Sequence, residues 1–214
     1  NKHRTWAEID LGAIEHNYRV ICEAAKAPVL CVVKADCYGH GAVPVANRLQ
    51  SMGAPYFAVA TVPEAVELRE NGIQKPIIIL GYIDAADMDT VAEYGITAPV
   101  YDEETAELLS AAAVRTGRDI TVHYKLDTGM TRVGREETVR RILECAKKPG
   151  LRSEGIFTHF AVADVPSGEE YTEMQYDRFR GVCEGLAENG LDLPLRHCAN
   201  SGAIQSYKQM HCTM

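Results

Sequence analysis

Short apolar runs rich in branched residues alternate along this chain with longer segments whose apolar positions recur at helical spacing. Residues 5–9 form the first run. Asp10 then reads as a helix N-cap, followed by Leu11, Ile14, Tyr18 and Ile21 or Cys22 on one helical face. Residues 29–33 predict a buried strand, a loop with Gly39 and Gly41 follows, and a helix is expected over 43–52. The alternation then continues with strands over 56–60, 77–80, 97–100, 120–126, 154–159 and 195–199. Between and after them the helical period predicts helices over 63–71, 85–94, 102–116, 136–148, 171–189 and 201–207. Several of these helices are punctuated by glycine just past the end, as at Gly72, Gly95 and Gly190.

Strand–helix alternation of this kind builds a parallel sheet from βαβ units. From the strand at 29 onward the pattern holds seven such units, whereas a closed (β/α)8 TIM-type barrel needs eight. The expected fold is therefore an α/β barrel of that type, truncated before its last strand. Residues 1–10 are set apart as an N-terminal strand, and residues 11–214 as the barrel domain.

Composition adds mainly exclusions. The 214 residues are 46% hydrophobic and 24% charged, which is ordinary for a globular chain. A net charge of -8 lacks the basic footprint of a nucleic-acid binder. Seven cysteines without a CxxC pair fit neither a disulfide framework nor a zinc knuckle, and no metal site is expected. Free thiols in apolar runs point to a reducing compartment, the cytoplasm. No apolar run has bilayer length, and the basic start Asn1, Lys2, His3 and Arg4 is not followed by the apolar stretch of a signal peptide.

The chemistry-bearing residues fall at the C-terminal ends of predicted strands, the rim where barrels of this type build their sites. Lys34 leaves the strand at 29–33 and precedes a Tyr38-Gly-His-Gly41 loop. A lysine there either snorkels to the rim or is desolvated enough to offer a neutral amine to an aldehyde. Strand alternation places His123, Lys125 and Asp127 on one face, with Lys125 and Asp127 either a structural ion pair or part of a site. Arg132 follows as a fixed cation. His159 ends the next strand, either as a satisfied core residue or as a flat partner for an aromatic ring. His197 precedes Asn200 and Ser201, where a strand turns into a helix and Ser201 is a candidate both for N-cap and for phosphate contact.

Residues 32–41 (Val-Val-Lys-Ala-Asp-Cys-Tyr-Gly-His-Gly) closely resemble the cofactor-lysine signature of alanine racemases. Residues 6–11 (Trp-Ala-Glu-Ile-Asp-Leu), 125–132 (Lys-Leu-Asp-Thr-Gly-Met-Thr-Arg), 158–161 (Thr-His-Phe-Ala) and 197–201 (His-Cys-Ala-Asn-Ser) match in order, so the resemblance spans essentially the whole chain. It implies a pyridoxal 5'-phosphate-dependent racemase of fold type III that interconverts L- and D-alanine and supplies D-alanine for peptidoglycan. It also implies a homodimer of two-domain subunits, each a barrel plus a C-terminal β domain that these residues lack. Residues 5–9 would pair with that domain. By resemblance Lys34 is the cofactor lysine and one of two bases, Tyr38 and Ser201 are phosphate ligands, and Asn200 is a further cofactor-binding residue. Arg132 meets the phenolic oxygen, and His159 packs beside the pyridine ring. Lys125 matches a lysine carbamylated in some members. His197 supports an arginine that faces the ring nitrogen. That arginine, and the partner subunit's tyrosine base, lie outside these residues, so the chain by itself is expected to be inactive. Two departures from the signature are Asp36-Cys37, where Asn-Ala is usual, and Thr131, where glycine is frequent. The alternatives are a serine or broad-specificity racemase and a non-catalytic barrel that only binds pyridoxal phosphate.

Overall fold

A computed structural model describes residues 4–134 and 138–214. Its elements follow the alternation read from the sequence. Helix α1 spans Leu11–Ala25, and the Asp10 side chain accepts from the amides of Gly12 and Ala13, as its N-cap position requires. Among the described residues seven strands then appear in order: β1 (Leu30–Val32), β2 (Tyr56–Val59), β3 (Ile77–Ile79), β4 (Ala98–Val100), β5 (Ile120–Lys125), β6 (Leu151–Phe157) and β7 (Leu195–His197). Between them lie α2 (Lys34–Gly39), α3 (Ala42–Ser51), α4 (Val62–Glu70), α5 (Met88–Glu93), α6 (Glu103–Thr116), α7 (Val139–Cys145) and α8 (Glu169–Glu188), with α9 (Ser201–Ser206) after β7.

Every strand pairing is parallel, with β1-β2-β3 in one ladder and β4-β5-β6-β7 in the other. The ladders join through a bridge between Ile78 and Thr97, with the Ile79 amide donating to the Thr97 carbonyl. Neighbours in sequence are thus neighbours in space, the order of a wound barrel. At the outer edge of β7 the amides of Thr213 and Met214 donate to the Arg196 carbonyl, so the chain's last residues start along the edge where an eighth strand belongs.

The alternation along each strand sorts two cores. Phe57, Val59, Ile77, Ile79, Val122, Tyr124 and Ile156 face the helices and join one large apolar cluster. Tyr56, Ala58, Ile78 and Phe157 face the barrel interior, with Leu30, Leu80, Leu195 and Met214 packed against them. Interior positions carry the polar side chains that matter below.

Several expectations change in detail. Residues 5–9 form no strand, and all are exposed, because among the described residues no strand pairs with them. Strand β6 begins at Leu151 rather than 154 and ends at Phe157, which leaves His159 in the following loop. The stretch expected as one helix over 85–94 divides into a 3-10 turn at Ala85–Asp87 and the short α5. The helix expected from 136 has its first residues outside those described, and α7 follows the Thr138 cap.

Candidate active site

The turn after β1 carries four consecutive non-glycine residues at positive φ. Ala35, Asp36, Cys37 and Tyr38 all have φ between 51 and 55°, a left-handed turn made of non-glycine residues. Such a conformation costs on the order of 1–2 kcal/mol per residue, so the surroundings must hold it. They do so with two carboxylates. Glu64 accepts from the Ala35 amide at 2.8 Å with one oxygen and from the Ala60 amide at 2.7 Å with the other. It also forms the capping box of α4 with Thr61. Asp36 accepts from the Ala42 amide at 2.6 Å, a role that an asparagine carbonyl at this place fills equally. The result fixes Lys34, half-buried, at the C-terminal end of β1, with Tyr38 exposed beside it.

Lys125 is the last residue of β5 and is buried. Its ammonium donates to the Leu126 carbonyl at 2.6 Å and lies 5.4 Å from the centroid of the Phe157 ring. Burial, partly offset by Asp127 and reinforced by Arg132, brings its pKa down to about 8. The Asp127 carboxylate is engaged by the backbone, accepting from the amides of Gly129 (2.9 Å) and Thr131 (3.0 Å). It therefore shapes the loop that leads to Arg132, which is exposed at the rim. Asp127 thus both shapes this loop and acts electrostatically on Lys125.

His159 is half-buried two residues past β6. Its pKa falls to about 4, first through burial and then through the positive charges of Arg132, Lys125 and Lys34. Its loop is held from behind by Gln175 of α8. The fully buried Gln175 amide donates to the His159 carbonyl (3.1 Å) and to the Thr128 hydroxyl (3.3 Å), and accepts from the Ala161 amide (2.9 Å).

At the end of β7 the N-cap is Asn200, not Ser201. The Asn200 carbonyl oxygen accepts from the Ala203 amide at 3.0 Å and its amide donates to the Phe160 carbonyl at 3.2 Å. Ser201, the first residue of α9, is exposed at the rim. Asn200 thus shapes the turn that presents Ser201.

Below the rim lies a buried polar chain that sequence reading only half found. His123 Nδ1 is 2.9 Å from His197 Nε2, and His123 Nε2 is 3.1 Å from a Glu154 oxygen. That same oxygen accepts from the Tyr56 hydroxyl at 2.9 Å, and Tyr56 is 2.6 Å from the Thr97 hydroxyl. The His197 ring stacks on Phe157 with centroids 4.8 Å apart and planes 3° from parallel. Burial, then His123 and Lys125, depresses the His197 pKa well below the usual histidine value, so the ring is neutral. Glu154, Tyr56 and Thr97 sit in strands that read as plain apolar or mixed runs. An acid at an irregular strand position was the one signal available.

The structure therefore gathers Lys34, Lys125, Arg132 and His159 into one electrostatic neighbourhood and places Tyr38 and Ser201 on the same strand-end rim. A chain of net charge -8 concentrates three cations here. Among the described residues no group of three or more metal-ligating side chains occurs.

The family profile described as "Alanine racemase, N-terminal domain" matches residues 9–214. The chain belongs to this alanine racemase family. Among curated relatives it is 41% identical over 210 residues to the alanine racemase of Clostridium tetani, covering 96% of this chain and 54% of that protein. It is 43% identical over 215 residues to that of Desulfovibrio desulfuricans, covering 98% and 57%. Among solved structures, alanine racemase of Clostridium difficile 630 in complex with cycloserine superposes with a TM-score of 0.96 at 38% identity, over 100% of this chain and 60% of that one. A histidine racemase from Leuconostoc mesenteroides subsp. sake gives a TM-score of 0.85 at 27% identity, over 94% and 54%. The chain spans a little over half the length of the curated relatives it matches. Membership of the racemase family agrees with the barrel order of the strands and with the rim position of the signature lysine.

Proposed function

We propose that this chain is the cofactor-binding barrel of a pyridoxal-phosphate-dependent amino-acid racemase acting on alanine, whose product D-alanine serves peptidoglycan. The observation that carries the reading is the clustering of Lys34, Lys125 and Arg132 around His159, whose pKa they help depress to about 4. The donor set fits the group. One amine, one guanidinium and hydroxyls meet a molecule that bears an aldehyde, a phenolic oxygen and a phosphate.

Lys34 would hold the cofactor through Nζ, and Tyr38 and Ser201 would donate to its phosphate. Arg132 would donate to its phenolic oxygen. Bound there, the cofactor supplies a sink for the electron pair released when a Cα–H bond is broken. Lys34 Nζ then serves as the base that takes or returns the proton on one face of Cα. His159 stays neutral at pH 7, so it packs against a ring without adding a fourth cation to the neighbourhood. The strained turn at residues 35–38 fixes the backbone that carries Lys34. Activity of the whole protein as a homodimer in the cytoplasm, with the opposite base from a partner subunit, follows from the family resemblance.

A second substrate class is favoured by one observation. The same barrel occurs in a histidine racemase, so the fold admits an amino acid other than alanine. Comparing turnover of L-alanine, L-serine and L-histidine by the full-length protein separates these readings.

The experiment for the cofactor is incubation with pyridoxal phosphate, borohydride reduction and peptide mapping by mass spectrometry. The expected label is on Lys34, with none on Lys34→Ala. A label confined to other lysines on a folded protein sinks the proposal.

A further inference from the structure

The ladder between β5 and β6 slips at one place. Val122 pairs with Ser153, but His123 pairs with Gly155, so Glu154 is an extra residue in β6. A bulge of this kind re-aims the side chain it carries. Ser153 faces outward, where its hydroxyl meets Tyr124 at 2.7 Å. The inserted residue lets Glu154 reach the interior instead, where it accepts from His123 and Tyr56. Gly155 completes the device. A Cβ there would sit 2.8 Å from Cε1 and Nδ1 of His123 and from the Leu195 carbonyl oxygen, so glycine leaves room both for the imidazole and for the neighbouring strand.

The proton count along the chain has one solution when both rings are neutral. Glu154 is a carboxylate, held in that form chiefly by the His123 hydrogen bond, and can only accept. His123 therefore donates through Nε2 and has a lone pair at Nδ1. His197 must donate to that lone pair through Nε2, which leaves its Nδ1 as an acceptor. Tyr56, itself 2.6 Å from Thr97, donates to the same carboxylate and anchors it from the other side.

We propose that Glu154, His123 and Gly155 are positioning residues that lock His197 in the Nε2–H tautomer, so that the floor of the site offers a fixed Nδ1 lone pair to a hydrogen-bond donor such as a guanidinium. Their effect on turnover rests on the racemase reading above; the tautomer itself does not. The relay acts through His197, as an orienting carboxylate acts through an imidazole it holds in one tautomer.

The test has two arms. In full-length protein without cofactor and labelled with 15N-histidine, two-bond nitrogen–proton correlations at neutral pH should show His197 protonated at Nε2 and bare at Nδ1, the signal being assigned by its loss in His197→Gln. In Glu154→Gln, whose amide can donate to His123, the His197 signal should become mixed or reversed. Gly155→Ala, which displaces the His123 ring, should do the same by a second route. In the second arm, Glu154→Gln loaded with pyridoxal phosphate should lose about tenfold or more in kcat for alanine, with KM within about twofold and Lys34 still trapped by borohydride. A wild-type His197 protonated at Nδ1 overturns the relay. So does a folded Glu154→Gln protein that keeps both its tautomer and its kcat. An intact relay in a protein that racemises no amino acid overturns the proposed function instead, and with it the positioning role.

Discussion

At the scale of single residues, His159 and Lys125 make the sharpest predictions, because each is held away from its ordinary charge state. His159 has a folded pKa of about 4 against an ordinary 6.5. Between those values the unfolded chain binds the extra proton, so stability rises with pH across the window and is lost as pH falls from 6.5 toward 4. The full effect is on the order of 3 kcal/mol. His159→Gln is expected to flatten the acid limb between pH 6.5 and 4, as read from denaturant midpoints over a pH series; an unchanged limb counts against the environment described. Lys125 runs by the same sign at higher pH, with a folded value of about 8 against 10.5. Its burial therefore disfavours the folded state below pH 8, and that penalty fades as pH rises toward 10.5. Lys125→Met, similar in length and uncharged, should raise the thermal midpoint at pH 7 and raise it less near pH 10.5. Both residues stood out in the sequence as polar groups at strand ends. Their backbone partners did not: Asp127 also serves the loop amides, and Lys125 the Leu126 carbonyl.

At the scale of elements, the rim loops are held by groups that belong to other elements. Gln175 lies in the middle of α8, where a helical pattern gives it no meaning, yet it pins the loops after β5 and β6 together. Gln175→Leu would leave the part-buried Ala161 amide and His159 carbonyl without this partner, a loss of about 1–3 kcal/mol. Equilibrium urea unfolding should show it as a lower midpoint with an unchanged slope. The turn at residues 35–38 is held in the same manner by Glu64 of α4. Strand and helix order was legible from periodicity, and so was the cap at Asp10. The bulge at Glu154 was not, because it depends on the register between β5 and β6, and register belongs to a pair of strands. The left-handed turn was equally hidden, since Ala, Asp, Cys and Tyr carry no signal for positive φ.

At the scale of the whole molecule, one parallel sheet with an outer helical layer and a polar-lined interior makes a graded object. Amides of β2 and β5, whose residues are nearly all buried, should exchange with solvent only through global opening. Residues 5–9, exposed and without a paired strand among the described residues, should exchange fastest. Native-state hydrogen exchange read residue by residue checks both ends of that range; protection at residues 5–9 comparable to β2 contradicts it unless another chain or segment covers them.

The sequence by itself determined the order of elements, the barrel class, the family and the rim residues Lys34, Tyr38, Arg132, His159 and Ser201. These follow from local periodicity, turn chemistry and short motifs, all of which are written in consecutive residues. The tertiary structure alone decided which charges crowd His159, what Asp36 and Glu64 hold in place, and how Glu154, His123 and His197 form one hydrogen-bonded chain. The physical reason is separation along the chain. Glu154 lies 31 residues from His123, and His197 lies 74 from it. Only closure of the parallel strands brings those interior positions to a common layer, and only the slip in register turns the carboxylate toward it.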